Sequence, residues 1–92
     1  MDDMKPVKVF VSPRIVVHQG ERTTALRMAM DEAGMGVWKV KAKSDVSHQT
    51  IAYLANGVRG VEKEMAKRIA AALDKPVGEL FMHKDGAELV DA

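Results

Sequence analysis

The stretch from Met35 to Gly57 constrains this chain more than any other. Its apolar residues recur at helical spacing in two short runs, separated by the polar pair Ser44-Asp45. The first run predicts a helix from about Val37 to Lys43. Asp45 tolerates the left-handed backbone region better than most residues, so the chain can turn there without glycine. Val46 plugs the corner, and Ser47 is a suitable N-cap for a second helix because its hydroxyl can accept from an otherwise unpartnered backbone N–H. That second helix carries Ile51 and Leu54 inward and stops at Asn56-Gly57, where glycine supplies the left-handed residue that closes a helix. His48, Gln49, Ala52 and Tyr53 are left on its outer face. Two helices joined in this way form a helix-turn-helix unit whose second helix is shaped to enter a DNA major groove.

The 92 residues fit one small domain. Hydrophobic residues make up 47% of the chain and aromatics only 4%, so the core is expected to be aliphatic, with methionine as filler. With no cysteine, disulfides and cysteine-based zinc sites are excluded, and a reducing, cytoplasmic setting is expected. No apolar run is long enough to span a bilayer, and the acidic start Met1-Asp2-Asp3 is unlike a signal peptide. A net charge of +1 says little about a polyanionic partner; the distribution says more. Lys39, Lys41 and Lys43 precede the second helix of the unit and Arg59 follows it, while Asp85, Glu88 and Asp91 gather in the tail.

Ahead of the helices, Val7, Val9 and Val11 alternate with Lys8 and Phe10, and Ile15, Val16 and Val17 resume the run after Ser12-Pro13. This predicts two strands, either a hairpin or one bent ribbon, with Pro13 in the turn or at an edge because it cannot donate to a ladder. A lone hairpin is marginal in water, so these strands either pack on the helical body or pair with those of a second copy. Gln19 to Arg22 reads as a linker. Thr23 or Thr24 caps a first helix that ends near Ala33-Gly34, with Leu26, Ala29, Met30 and Ala33 on one face. After a loop from Gly57 to Gly60, a fourth helix is expected from Val61 to Leu73, with Met65, Ile69, Ala72 and Leu73 inward. Pro76 opens a short fifth helix, and Val77, Leu80 and Phe81 close the core. The organisation expected is a β arm and candidate dimerisation element over 1–20, a helix-turn-helix domain over 21–82, and a flexible tail over 83–92.

From about Thr23 to Phe81 the chain resembles the five-helix domain of the phage repressor and Cro-type (XRE) helix-turn-helix family. The resemblance rests on Leu26-Arg27, Ala33-Gly34-Met35, Val46-Ser47, Thr50-Ile51, Leu54, Asn56-Gly57, Arg68-Ile69-Ala70, Ala72-Leu73, and Val77 with Glu79-Leu80-Phe81, taken together with their spacing. It implies a mainly α fold, here with the N-terminal β arm added. It also implies sequence-specific binding to a near-palindromic double-stranded DNA operator as a homodimer, to regulate transcription. By position, base contacts fall on His48, Gln49, Ala52 and Tyr53. Backbone contacts fall on Ser47, Thr50, Asn56 and Arg59, and on the start of the preceding helix at Val37, Trp38 and Lys39. The chain departs from the family pattern at Val37, where glutamine is frequent, at Lys41, where a small residue, usually alanine, is common, at Ser44, where a small or apolar residue is expected, and at Asp45, where glycine is. An Arg–Glu pair that often joins the first and third helices falls on Met30 and Ala55, so both charges are replaced together.

The chemistry of these residue types suits the role. Gln49 can make a bidentate contact to adenine, and His48 can donate to guanine N7 or to a phosphate. Each is otherwise an ordinary solvated polar residue. Tyr53 can reach a phosphate, lie on a thymine methyl, or simply pack half-buried; Ala52 lets the helix approach the base edges. The three lysines alternate, so they do not share one face. Three roles are open to Trp38: packing on the arm, stacking along the DNA backbone, or docking a protein partner. A second function class, motivated by the unorthodox helix over 37–43, Trp38, the valine-rich arm and the low net charge, is a protein-interaction module on the same scaffold: an antirepressor, an antitoxin, or a phage protein docking on a host factor. Nothing points to catalysis, a cofactor or a metal. His18, His48 and His83 lack ligand spacing, and no nucleophile–base arrangement or phosphate-cradling loop is present.

Overall fold

The computed structural model describes residues 9–83. In chain order the elements are β1 (Phe10–Pro13), β2 (Ile15–His18), β3 (Glu21–Thr24), α1 (Ala25–Ala33), α2 (Val37–Ser44), α3 (His48–Ala55), β4 (Val61–Glu62), α4 (Lys63–Ala72), α5 (Val77–Leu80) and β5 (Phe81–His83). The five expected helices are present, and two small antiparallel sheets accompany them.

Helix boundaries follow local chemistry. Thr24 caps α1 by accepting from the Arg27 N–H at 3.0 Å. Gly34, at φ 66°, ends it in a left-handed turn in which Met35 N–H reaches back to the Met30 carbonyl at 2.9 Å. Asp45 takes the left-handed conformation at the end of α2 (φ 59°), its N–H donating to the Lys41 carbonyl. Ser47 caps α3, and Gly57 follows it at φ 72°. The core is one aliphatic cluster drawn from every helix, and Phe81 is its largest fully buried side chain.

The residues that departed from the family pattern are accommodated. Lys41 is exposed, so no small side chain is required there. Ser44 is buried, but its hydroxyl donates to the Val40 carbonyl at 2.7 Å and accepts from the Val46 N–H at 3.3 Å. Met30 and Ala55 are both buried in the apolar cluster, so that junction of α1 and α3 holds no unpaired charge.

The strands differ most from expectation. The segments over 10–13 and 15–18 do not pair with each other. β1 lies between β4 and β5, with Val11 opposite Val61 on one side and His83 on the other. Val11 is 0% exposed and Pro13 is buried, so β1 is the centre of a sheet that closes the helical core. The hairpin is made by β2 and β3, from Ile15 opposite Thr24 to His18 opposite Glu21. Its turn is Gln19-Gly20, both at positive φ (53° and 83°), the backbone of a type I′ turn whose twist matches that of the strands. The segment from Gln19 to Arg22 is therefore this turn and the start of β3, not a linker. Val61 and Glu62 pair with β1, which delays α4 to Lys63. Ala66 and Ala70 join Ile69 in the core, while Met65 and Ala72 are half-buried and Ala33 is exposed. Phe81 and its two successors form β5 instead of extending α5, so His83 belongs to a strand. Val7, Lys8 and the tail over 84–92 lie outside the described residues.

Candidate nucleic-acid interface

The outer face of α3 and the start of α2 lie on the same side of the unit, because the left-handed turn at Asp45 folds α3 back across α2. Trp38, in the first turn of α2, stacks on His48, the first residue of α3. Their ring centroids are 4.2 Å apart, with 23° between the planes. Trp38 is nonetheless 64% exposed, so the stacked pair is presented to solvent. Of the roles open to Trp38, the structure shows ring packing, on His48 of α3.

At the next residue, Gln49 Nε2 donates to the hydroxyl of Tyr53, one turn further along α3, at 3.1 Å. The Arg59 guanidinium sits 5.7 Å from the centre of the same tyrosine ring, within cation–π range. Tyr53 is half-buried, and it ties a residue of the first turn of α3 to the loop beyond its end. Such ties matter because an exposed glutamine or arginine otherwise loses about 1.5–2 kcal/mol of rotamer freedom when a partner fixes it. Part of that ordering is already present here. Ala52 is half-buried beside Tyr53 and adds no bulk to the face.

At the N-terminus of α3, Ser47 Oγ accepts from the Thr50 N–H at 3.2 Å and donates to Thr50 Oγ1 at 2.9 Å. At its C-terminus, Asn56 Oδ1 accepts from Arg27 Nη2 of α1. Val37 is half-buried against the core, which leaves its backbone N–H, at the unpaired start of α2, as its means of reaching a phosphate. Lys39, Lys41 and Lys43 are exposed and pair with no described carboxylate. Asp45, by contrast, lies 3.9 Å from Arg68, an exposed pair of small energetic weight. Among the described residues, no group of three or more His, Asp or Glu side chains converges as a metal site would require.

A family model described as Helix-turn-helix matches residues 26–80, which is more than half of the chain and runs from α1 to the end of α5. The chain belongs to the XRE-type helix-turn-helix family. No curated protein and no solved structure matches it. As an XRE-type protein it is a DNA-binding protein, and among its described residues no helix is long and apolar enough to cross a membrane.

In this XRE-type chain the candidate contact residues form two local groups, Trp38 with His48 and Gln49 with Tyr53 and Arg59, flanked by Ser47–Thr50 and by Asn56. The link from Asn56 to Arg27 was not legible from the sequence. The two residues are 29 positions apart and neither occupies a spacing that signals the other. The only local hint is that Arg27 sits three residues after the cap Thr24, on the exposed side of the first turn of α1.

Proposed function

We propose that this protein is a sequence-specific transcriptional regulator of the Cro or repressor kind. It binds a near-palindromic operator as a homodimer, with α3 of each protomer in successive major grooves about one DNA turn apart. His48, Gln49, Ala52 and Tyr53 read base edges. Val37 and Trp38, through backbone N–H groups, and Lys39, Ser47, Thr50, Asn56 and Arg59 hold the phosphate backbone on either side. The observation that carries this reading is the partial ordering of the α3 outer face: Gln49 is tethered to Tyr53, which also carries the Arg59 guanidinium over its ring, and His48 is stacked on Trp38, with the exposed Lys39 next in the chain. Regulation acts by occluding a promoter, in the cytoplasm of a bacterium or phage-infected host.

The homodimer is supported by β2, which pairs with β3 on one edge only and carries Ile15 and Val17 at 43% and 71% exposure. β1 is paired on both edges and offers no such surface. These exposed apolar residues, together with Trp38 and Val58, also favour a second reading, a module that docks on a protein partner.

Fluorescence anisotropy with a labelled duplex from upstream of the protein's own gene, compared with a scrambled duplex at low and moderate salt, separates the two. A regulator binds the upstream duplex more tightly, and salt weakens the binding. Absence of binding to either duplex at low salt contradicts the regulator and favours the docking module.

A further inference from the structure

Beside the C-terminus of α3, bordering the face described above at Asn56, the β2–β3 hairpin and α1 line an open groove of about 520 Å3. Its polar lining includes Arg22, Arg27, Asn56 and Glu21. The hairpin register explains how Arg22 comes to be there. Ile15 pairs with Thr24 and Val17 with Arg22, so these four side chains share one face. That face is turned toward the end of α3: Thr24 Oγ1 donates to the Ala55 carbonyl at 2.7 Å, and the Cδ1 of Ile15 lies 3.1 Å from where a Cβ on Gly57 would stand. Arg27 enters from α1 and holds Asn56 with one guanidinium nitrogen. Arg22 is exposed and has no ion pair or side-chain hydrogen bond among the described residues.

Two guanidinium groups and an amide converging on one groove, against the single carboxylate of Glu21, make a site for a monoanion with oxygen acceptors. Guanidinium is the side chain best matched to phosphate geometry. We propose that this groove takes a DNA backbone phosphate, so that Arg22 and Arg27 extend the footprint past Asn56 and the β2–β3 hairpin serves as a second arm on the duplex. The proposal rests on the DNA-binding reading above, and Asn56 is where the two surfaces meet. The hairpin fits this task because its I′ turn and the buried Thr24 fix its angle against α3, so Arg22 approaches the duplex on a rigid element.

The test is the salt dependence of anisotropy on one duplex for the unaltered protein and for Arg22→Ala, Arg22→Glu, Glu21→Gln and Arg27→Met. Arg22 is exposed and unbonded, so its replacement leaves the fold intact, which circular dichroism checks. Loss of one phosphate contact lowers the slope of log affinity against log salt by about 0.9 for each protomer bound, and weakens binding roughly threefold or more at moderate salt. Arg22→Ala and Arg27→Met are expected to do this on any sequence. Arg22→Glu weakens binding further, and Glu21→Gln tightens it. Wild-type affinity and slope for Arg22→Ala and Arg22→Glu, with the unaltered protein binding normally, overturn the proposal and leave the DNA-binding reading standing. Failure of the unaltered protein to bind any duplex at low salt overturns both.

Discussion

At the residue scale, the proposed assignment puts base reading and backbone holding on different side chains, and each has its own signature. Gln49→Ala removes a bidentate partner and is expected to relax discrimination at one base pair, by about 1–3 kcal/mol, with little change on random DNA. Arg59→Ala is expected to weaken binding to all sequences alike and to reduce the salt slope by about 0.9 per protomer. Competition anisotropy with single-base variants of one duplex measures both. Tyr53→Phe keeps the ring beneath Arg59 but removes the acceptor that orients Gln49. Its expected effect is the Gln49 phenotype in weaker form, with the salt slope unchanged. The placement of the candidate residues was legible where a rule is local: Ser47 before a helix, glycine after one, polar residues opposite Ile51 and Leu54. The partnerships were less so. Gln49 and Tyr53 share a helix face one turn apart, but Trp38 and His48 meet only because the turn at Asp45 fixes the angle between two helices.

At the element scale, one hydroxyl bridges the junction of β3, α1 and α3, beside the Arg27–Asn56 hydrogen bond. Thr24 Oγ1 accepts from the Arg27 N–H, capping α1, and donates to the Ala55 carbonyl in the last turn of α3. Thr24→Val keeps the shape, removes the cap and leaves that carbonyl buried without a partner. The expected loss is about 1–3 kcal/mol, read by urea denaturation. Gly57 sits beside the same junction at φ 72°, and an added Cβ meets Ile15 Cδ1 at 3.1 Å. Gly57→Ala is expected to cost about 1–2 kcal/mol from the left-handed backbone alone, plus any displacement of the hairpin. The helices were legible from capping residues and apolar periodicity. The hairpin was not, because its turn is Gln-Gly in place of the more recognisable Asn-Gly, and because β3 (Glu21-Arg22-Thr23-Thr24) lacks an apolar alternation. The valine alternation over 7–11 did signal a strand, but alternation cannot name a strand's neighbours.

At the scale of the whole molecule, the segment that reads as an appended arm is built into the core. Val11 is fully buried, β1 separates β4 from β5, and Phe81, the largest buried side chain, lies opposite Pro13. Removal of residues 1–13 is therefore expected to abolish cooperative thermal unfolding, whereas a dispensable arm would leave it intact; circular dichroism melting decides. Long-range pairing of this kind is invisible to local pattern, since Val11 meets partners 50 and 72 positions away. The exposed features open to a partner include the α2–α3 face, the loop after α3 and the β2–β3 hairpin. The most direct measurement is a map of backbone amide shifts in the 15N-labelled protein as an unlabelled duplex is titrated in. Changes concentrated at 37–39, 47–53 and 56–59 are expected. Changes confined to α4 and α5, with the α3 face silent while DNA binds, would contradict the assignment of α3 as the reading helix.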